Sequence, residues 1–246
     1  MKRWCGPVAL AALACGACGD AGGDRLELPL ELAGSDATLV QSGGWEIQLT
    51  RAELAFGPLY LCAGEKAGEL CDVAKAEWVD SAVVNALDPQ GHKVGALHGT
   101  AGETRSFMYD LGIVSMLTQK QPLVLDSAER LDGASVVVEG TARRDDIGYP
   151  FALKLAIAQG PDTEVGVPVV RKKLTDEFEH TLAEGQRLRL QFDATTWVED
   201  IDFQAIYDEA GCTGTCEEQT PTGDTQAARA LRNSLLVRFR PAFLWR

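Results

Sequence analysis

The chain has 246 residues, 46% of them hydrophobic, and a formal net charge of −13. That hydrophobic fraction excludes a disordered chain, and the length suits one large or two small domains. The acidic balance argues against nucleic acid as a partner and against electrostatic attachment to anionic lipid.

Lys2 and Arg3 form a positive start, and Val8 to Ala14 is a short apolar run that ends at Cys15. A bilayer needs about 20 apolar residues, so the run does not span one. Its order of charge, apolar run and small residues is that of a secretory signal peptide. Ala12-Leu13-Ala14-Cys15 and Cys15-Gly16-Ala17-Cys18 resemble the lipobox of bacterial lipoproteins, although neither has Leu three residues before its cysteine. The resemblance implies that Cys15 or Cys18 is lipidated and becomes the new N-terminus. Ala14 and the apolar run directly upstream favour Cys15. Cysteine parity favours Cys18, because cleavage there leaves four other cysteines. The resemblance also implies export and a membrane partner held through the lipid. Gly rather than Asp follows either cysteine, which implies retention in the outer membrane if the organism is diderm. Loss of an acid-free leader leaves 21 basic against 36 acidic residues, a net charge of −15.

Residues 1–17 are therefore expected to be leader and lipobox, 18–25 a flexible tether, and 26–246 a single β-rich domain. Leu26, Leu28, Leu30 and Leu32 alternate with polar residues and predict a strand, with Pro29 pointing to an edge position. Residues 34–44 read as a turn. Trp45, Ile47 and Leu49 alternate, and Ala52, Leu54 and Phe56 continue one residue out of phase. Such a slip predicts a bulge or corner, since it would otherwise turn the apolar face to water. Gly57-Pro58 predicts a further break.

Residues 78–87 are apolar and ambiguous between helix and strand. Residues 94–97 are a short strand candidate, and 98–102 read as a loop. Phe107, Tyr109 and Leu111 predict a strand, and 117–133 a long connection with a short helix. Residues 135–143 and 151–157 predict a hairpin about a charged turn at 144–148. Residues 178–182 and 188–192 predict a second, turned at 183–185. Residues 193–207 are mixed, and 211–222 are a loop. From Asp224, Ala227, Leu231 and Leu235 space a short amphipathic helix, and Phe239, Phe243 and Trp245 close the chain in a strand. Many short strands and one good helix predict a mostly-β fold, an antiparallel β-sandwich or open barrel with one short C-terminal helix.

The cysteines beyond the leader are Cys62, Cys71, Cys212 and Cys216. In an oxidising compartment they are expected to form disulfides, nearest-neighbour pairing giving 62–71 and 212–216. Their spacings do not match zinc knuckles. His92, His98 and His180 are the only histidines, and with Met108 they are the candidate metal ligands. His92 and His98 lie about 20 Å apart if they share one strand. The acids at 145–146, 199–202 and 217–218 fit no calcium-loop register. No serine-hydrolase, zinc-protease or phosphate-loop motif is present, so no catalytic residue is assigned and no cofactor is expected. Trp45, Trp78, Trp197 and Trp245 sit in apolar patterns that point to core packing.

The resulting expectation is a lipid-anchored binding or scaffolding module of the cell envelope, acting on an envelope protein or a small ligand. Two other classes remain open. One is a periplasmic copper- or zinc-binding protein, and the other is a secreted hydrolase with a carboxylate pair.

Overall fold

The computed structural model describes residues 24–65, 71, 73–112, 131–132, 134–157, 169–174, 178–211, 213–221 and 225–246. The strands among them are β1 (Arg25–Ala33), β2 (Leu39–Ser42), β3 (Trp45–Cys62), β4 (Ala74–Trp78), β5 (Ala82–Asn85), β6 (His92–Thr100), β7 (Gly102–Thr104), β8 (Ser106–Gly112), β9 (Val136–Arg144), β10 (Ile147–Leu155), β11 (Val169–Leu174), β12 (His180–Leu182), β13 (Leu188–Gln191) and β14 (Ala242–Trp245). The helices are α1 (Thr195–Val198), α2 (Phe203–Ala210) and α3 (Gln226–Asn233). The fold is mostly β and sandwich-like, as the alternation predicts. Twelve strands join one sheet, whose main path runs β10-β9-β3-β4-β6-β1-β13-β14, and β12 pairs with β7 apart from it.

The long strand β3 serves both halves of the sheet. Its first half pairs with β9 on one side and β2 on the other. Residues Glu53 to Phe56 pair with β5, and the second half pairs with β4 and β8. The predicted slip is present as a register shift against β9 between Leu49 and Arg51. The expected break is not present: the strand continues through a cis Gly57-Pro58 peptide, where its register against β8 shifts between Phe56 and Leu59. Gly57 has φ of 110°, and a Cβ there would meet the Asp80 carbonyl oxygen and the Trp78 ring at 2.6 Å, so only glycine fits. Leu54, Phe56, Leu59 and Leu61 face the main core, while Ala55, Tyr60 and Cys62 pack into two small clusters behind it. Burial on both faces is why the clean polar-apolar alternation stops after Leu49. At the centre, the Phe56 ring lies 5.2 Å from Tyr109 and 5.0 Å from Phe192.

The Pro29 expectation holds for half of β1. Over Leu30 to Leu32 the strand is interior, antiparallel to β6 and parallel to β13, and Ala33 pairs with β13. That parallel pair departs from the all-antiparallel expectation. Arg25 to Pro29 pair with β6 alone. Phe192 N–H donates to the Ala33 carbonyl and Ala101 N–H to the Asp24 carbonyl. By alternation, odd residues of β1 turn their main-chain groups to the β13 side and even ones to β6. The N–H that Pro29 lacks is thus on the unpaired side.

Several boundaries differ from the sequence reading. Residues 34–44 contain β2, a hairpin partner of β3 turned by Gly43 and Gly44, both at positive φ. The ambiguous 78–87 stretch holds the end of β4 and all of β5. The expected loop at 98–102 is the end of β6 and the start of β7. The hairpin of β9 and β10 is as expected. The second expected hairpin is not formed: β12 pairs with β7, and β13 with β1 and β14. Alternation identifies a strand without naming its partner, and the 183–185 turn passes the chain from one sheet to the other. The helix expected within 117–133 falls almost wholly outside the described residues.

The mixed stretch 193–207 forms α1 and most of α2, which Asp202 caps by accepting from Ala205 N–H. The cap of α3 is Thr225, whose side chain accepts from Ala228 N–H, and Asp224 lies outside the described residues. Ala227, Leu231 and Leu235 are buried, as their spacing predicts. A π-helical turn, Ser234–Arg238, then delivers Phe239 to the core and leads through Pro241 into β14. The loop before α3 runs beside β10. Cys216 N–H donates to the Gly148 carbonyl, Gln219 N–H to the Pro150 carbonyl and Ala152 N–H to the Gln219 carbonyl, each at 2.9 Å.

Candidate functional site

Alternation along β14 sorts its side chains between two faces. Phe243 and Trp245 stand opposite Leu190 and Leu188 and turn inward, while Leu244 and the following Arg246 turn outward. The inward pair meets Phe107 of β8, Phe178, and His180 of β12. Phe107 lies 4.5 Å from Phe243 and 5.0 Å from Phe178, and Phe178 lies 5.0 Å from Phe243. The His180 ring is stacked on Trp245 at 3.8 Å, with 5° between the planes. These rings, with Glu179, Arg240 and Pro241, line a groove of about 380 Å³. Phe107 is buried, whereas Phe178, His180, Phe243 and Trp245 are half-buried.

Main-chain and side-chain bonds fix the histidine. Its carbonyl accepts from Thr104 Oγ1, and its Nε2 lies 3.3 Å from Gln186 Oε1, which also accepts from Ala183 N–H. Behind the groove, Tyr109 donates its hydroxyl to the Phe239 carbonyl at 3.1 Å. Burial pushes that hydroxyl well above the ordinary phenol range, with nearby Arg240 pulling partly the other way. Burial therefore favours its neutral, protonated form. Ring faces beneath a charged rim suit a ligand with a flat apolar side and a few polar substituents.

The residues singled out in the sequence fall elsewhere, apart from His180 and Trp245. His92 and His98 are exposed at opposite ends of β6, opposite Leu32 and Glu27 of β1. Met108 is buried with Tyr60 and Cys62. The structure does not bring these three side chains to His180. Among the described residues no group of three or more His, Cys, Asp and Glu is placed to hold a metal ion. The acids at 199–202 have structural partners: Asp200 pairs with Arg238 at 2.7 Å and Asp202 caps α2. Trp45, Trp78 and Trp197 are buried in the core, and Trp245 alone of the four is half-buried. Cys62 and Cys71 form a disulfide, with Cα atoms 5.6 Å apart. Cys216 is disulfide-bonded, and Cys212 lies outside the described residues. Cys15 and Cys18 also lie outside them. Sequence reasoning missed Phe178, Phe243 and Arg240. The one available signal was the aromatic density on either side of Pro241, which reads equally well as core.

No protein-family model matches the chain, and no curated protein matches it in sequence. Among solved structures, the chain is similar to MbnP from Methylosinus trichosporium, at 13% identity and a TM-score of 0.34, over 73% of this chain and 78% of that one. A likeness of that strength bears on neither ligand nor mechanism.

Proposed function

We propose that the protein is an extracytoplasmic, lipid-anchored binding module whose β14 groove takes a small ring-bearing ligand. The groove carries the reading. It presents half-buried Phe178, Phe243 and Trp245 to solvent, with Glu179, His180 and Arg240 at the rim. Its volume falls within the range of ordinary small-molecule sites. Rings of this kind bind flat apolar faces through area burial and stacking, and the rim groups orient polar substituents. Export is supported by the Cys62–Cys71 disulfide and by disulfide-bonded Cys216, which persist in oxidising compartments. The anchor is supported by the lipobox resemblance around Cys15 and Cys18.

Binding is tested by titrating purified protein with panels of monosaccharides, disaccharides and aromatic acids, followed by proton NMR of the ligand and by tryptophan fluorescence. At least one panel should give saturable binding that Trp245→Ala and Phe243→Ala weaken by about tenfold or more, as expected for loss of a central aromatic anchor. Saturable binding that survives both substitutions would place the ligand elsewhere and sink the groove reading. Anchoring is tested separately by Cys15→Ser/Cys18→Ser and cell fractionation. Partition with membrane like wild type would remove the lipid from the account.

A further inference from the structure

The outer face of the same strands carries a different chemistry. Lys93 of β6 stands opposite Glu31 of β1, Glu31 opposite Arg189 of β13, and Arg187 opposite Arg246. Glu31 is committed, because Arg189 pairs with it at 2.5 Å and also donates to the Pro89 carbonyl. Lys93, Arg187 and Arg246 have no acidic partner among the described residues, and all three are exposed. The main-chain N–H and carbonyl of Arg187 and Arg246 bond to each other, so the two residues sit side by side on a closed rung of the sheet.

These side chains surround a cavity of about 330 Å³. It exists because β13 begins at Leu188, opposite Leu30, and leaves the side of β1 next to Pro29 uncovered. Proline offers no N–H on that side, so an added strand would lack one rung there. The arrangement disfavours an added strand and leaves a recess rimmed with cations. In a chain with 36 acidic and 23 basic residues, three uncompensated cations converge on one recess. Beyond about 8 Å the negative field of the rest of the surface is screened at physiological salt. The side chains lining the recess include Lys93, Arg187, Arg189 and Arg246 against the single carboxylate of Glu31.

We infer that this recess binds a phosphate group, with Lys93 as a point charge and Arg187 and Arg246 as guanidinium donors. Phosphate is favoured over a carboxylate because three cations match a dianion with three free oxygens better than a monoanion with two. The group reaches the recess either as a soluble phosphate or as the headgroup of an anionic lipid. The inference is independent of the groove on the inner face.

The test is calorimetric titration of the purified, folded protein with inorganic pyrophosphate at low ionic strength. Flotation with vesicles of phosphatidylcholine, with and without phosphatidic acid, accompanies it. Wild type should show one saturable site in at least one arm, weakened by added salt. Arg187→Ala and Lys93→Ala should each weaken it about tenfold or more, the scale of a hydrogen bond to a charged group. The triple variant Lys93→Ala/Arg187→Ala/Arg246→Ala should abolish it, and Arg187→Lys should keep part of it. Lys154→Ala, on β10 and paired with Asp132, should change nothing. Binding of pyrophosphate identifies a soluble source, and binding only to phosphatidic acid vesicles identifies a headgroup. Absence of binding in both arms at millimolar ligand would overturn the inference. So would a loss in Lys154→Ala as large as in Arg187→Ala, since general surface charge would then account for the effect.

Discussion

Gly99→Ala is expected to be among the most damaging single-methyl changes in this fold. Gly99 lies in β6 between Leu26 of β1 and Ala76 of β4. A Cβ there would sit 1.9 Å from the Lys75 carbonyl oxygen, 2.5 Å from Ala76 Cα and 2.7 Å from the Lys75 carbonyl carbon. All three are main-chain atoms, so no rotamer change relieves the clash and the strands must part. The β4–β6 pairing consists of two residue pairs, Ala76 with Gly99 and Glu77 with His98. This short seam joins the β3 side of the sheet to β1, β13 and β14. Overpacking costs about 1–3 kcal/mol, and each lost ladder hydrogen bond adds about 1 kcal/mol, for a total of about 3–5 kcal/mol. In a domain of this size that corresponds to a fall in melting temperature of about 10 °C. Thermal unfolding by circular dichroism measures it. Gly64→Ala is the control, because a Cβ there meets nothing within 4 Å. It should stay within about 0.5 kcal/mol of wild type. If Gly99→Ala melts within about 2 °C of wild type, the strand contact at Lys75 is not as close as described.

The remaining predictions follow the same logic. Cys71→Ser should lower stability by about 2.5 kcal/mol, the loop-closure cost for a bridge nine residues apart, read from urea unfolding. Non-reducing peptide mapping should recover the 62–71 pair. Thr225→Ala removes the cap bond to Ala228 N–H and should cost about 1 kcal/mol. Burial raises the hydroxyl pKa of Tyr109 and, with nearby Asp202, that of Tyr149 above the ordinary value of 10.0. Their contribution to stability is whole below about pH 10 and is lost as pH rises toward the folded values, by about 1.4 kcal/mol per pH unit for each tyrosine. Tyr109→Phe should flatten that alkaline loss. An unchanged slope would show that Tyr109 is not shielded from water.

The local character of most strands was legible because a half-buried strand writes its faces into alternate residues. The β9–β10 hairpin could be read because its partners are adjacent and its turn is polar. β3 could be read to its bulge, whereas Gly57-Pro58, which reads as a break, shifts the register within one continuous strand. Partnership was legible only where the chain turned straight back. β12 and β13 look like a hairpin in sequence, yet their partners lie 76 and 158 residues away, as Thr104–His180 and Glu31–Arg189 show. Gly99 reads as a loop residue because glycine usually breaks strands, and the close approach of Lys75 that requires it is a tertiary fact. The groove was illegible for the same reason. Phe107, Phe178 and Phe243 come from three distant segments, and each reads alone as core. The outer cations were hidden by an acidic average that says nothing about where the basic side chains gather.

The loop held by Cys216 has a consequence for the life of the folded protein. β10 ends the main path of the sheet, and its outward main-chain groups would invite another chain to add a strand. The 216–219 segment takes up those groups at Gly148, Pro150 and Ala152, so it works as a built-in shield against self-assembly. Its hold depends in part on the disulfide of Cys216, a bond that a reducing environment would open. Reduced protein would keep that shield less firmly and should therefore aggregate before it unfolds.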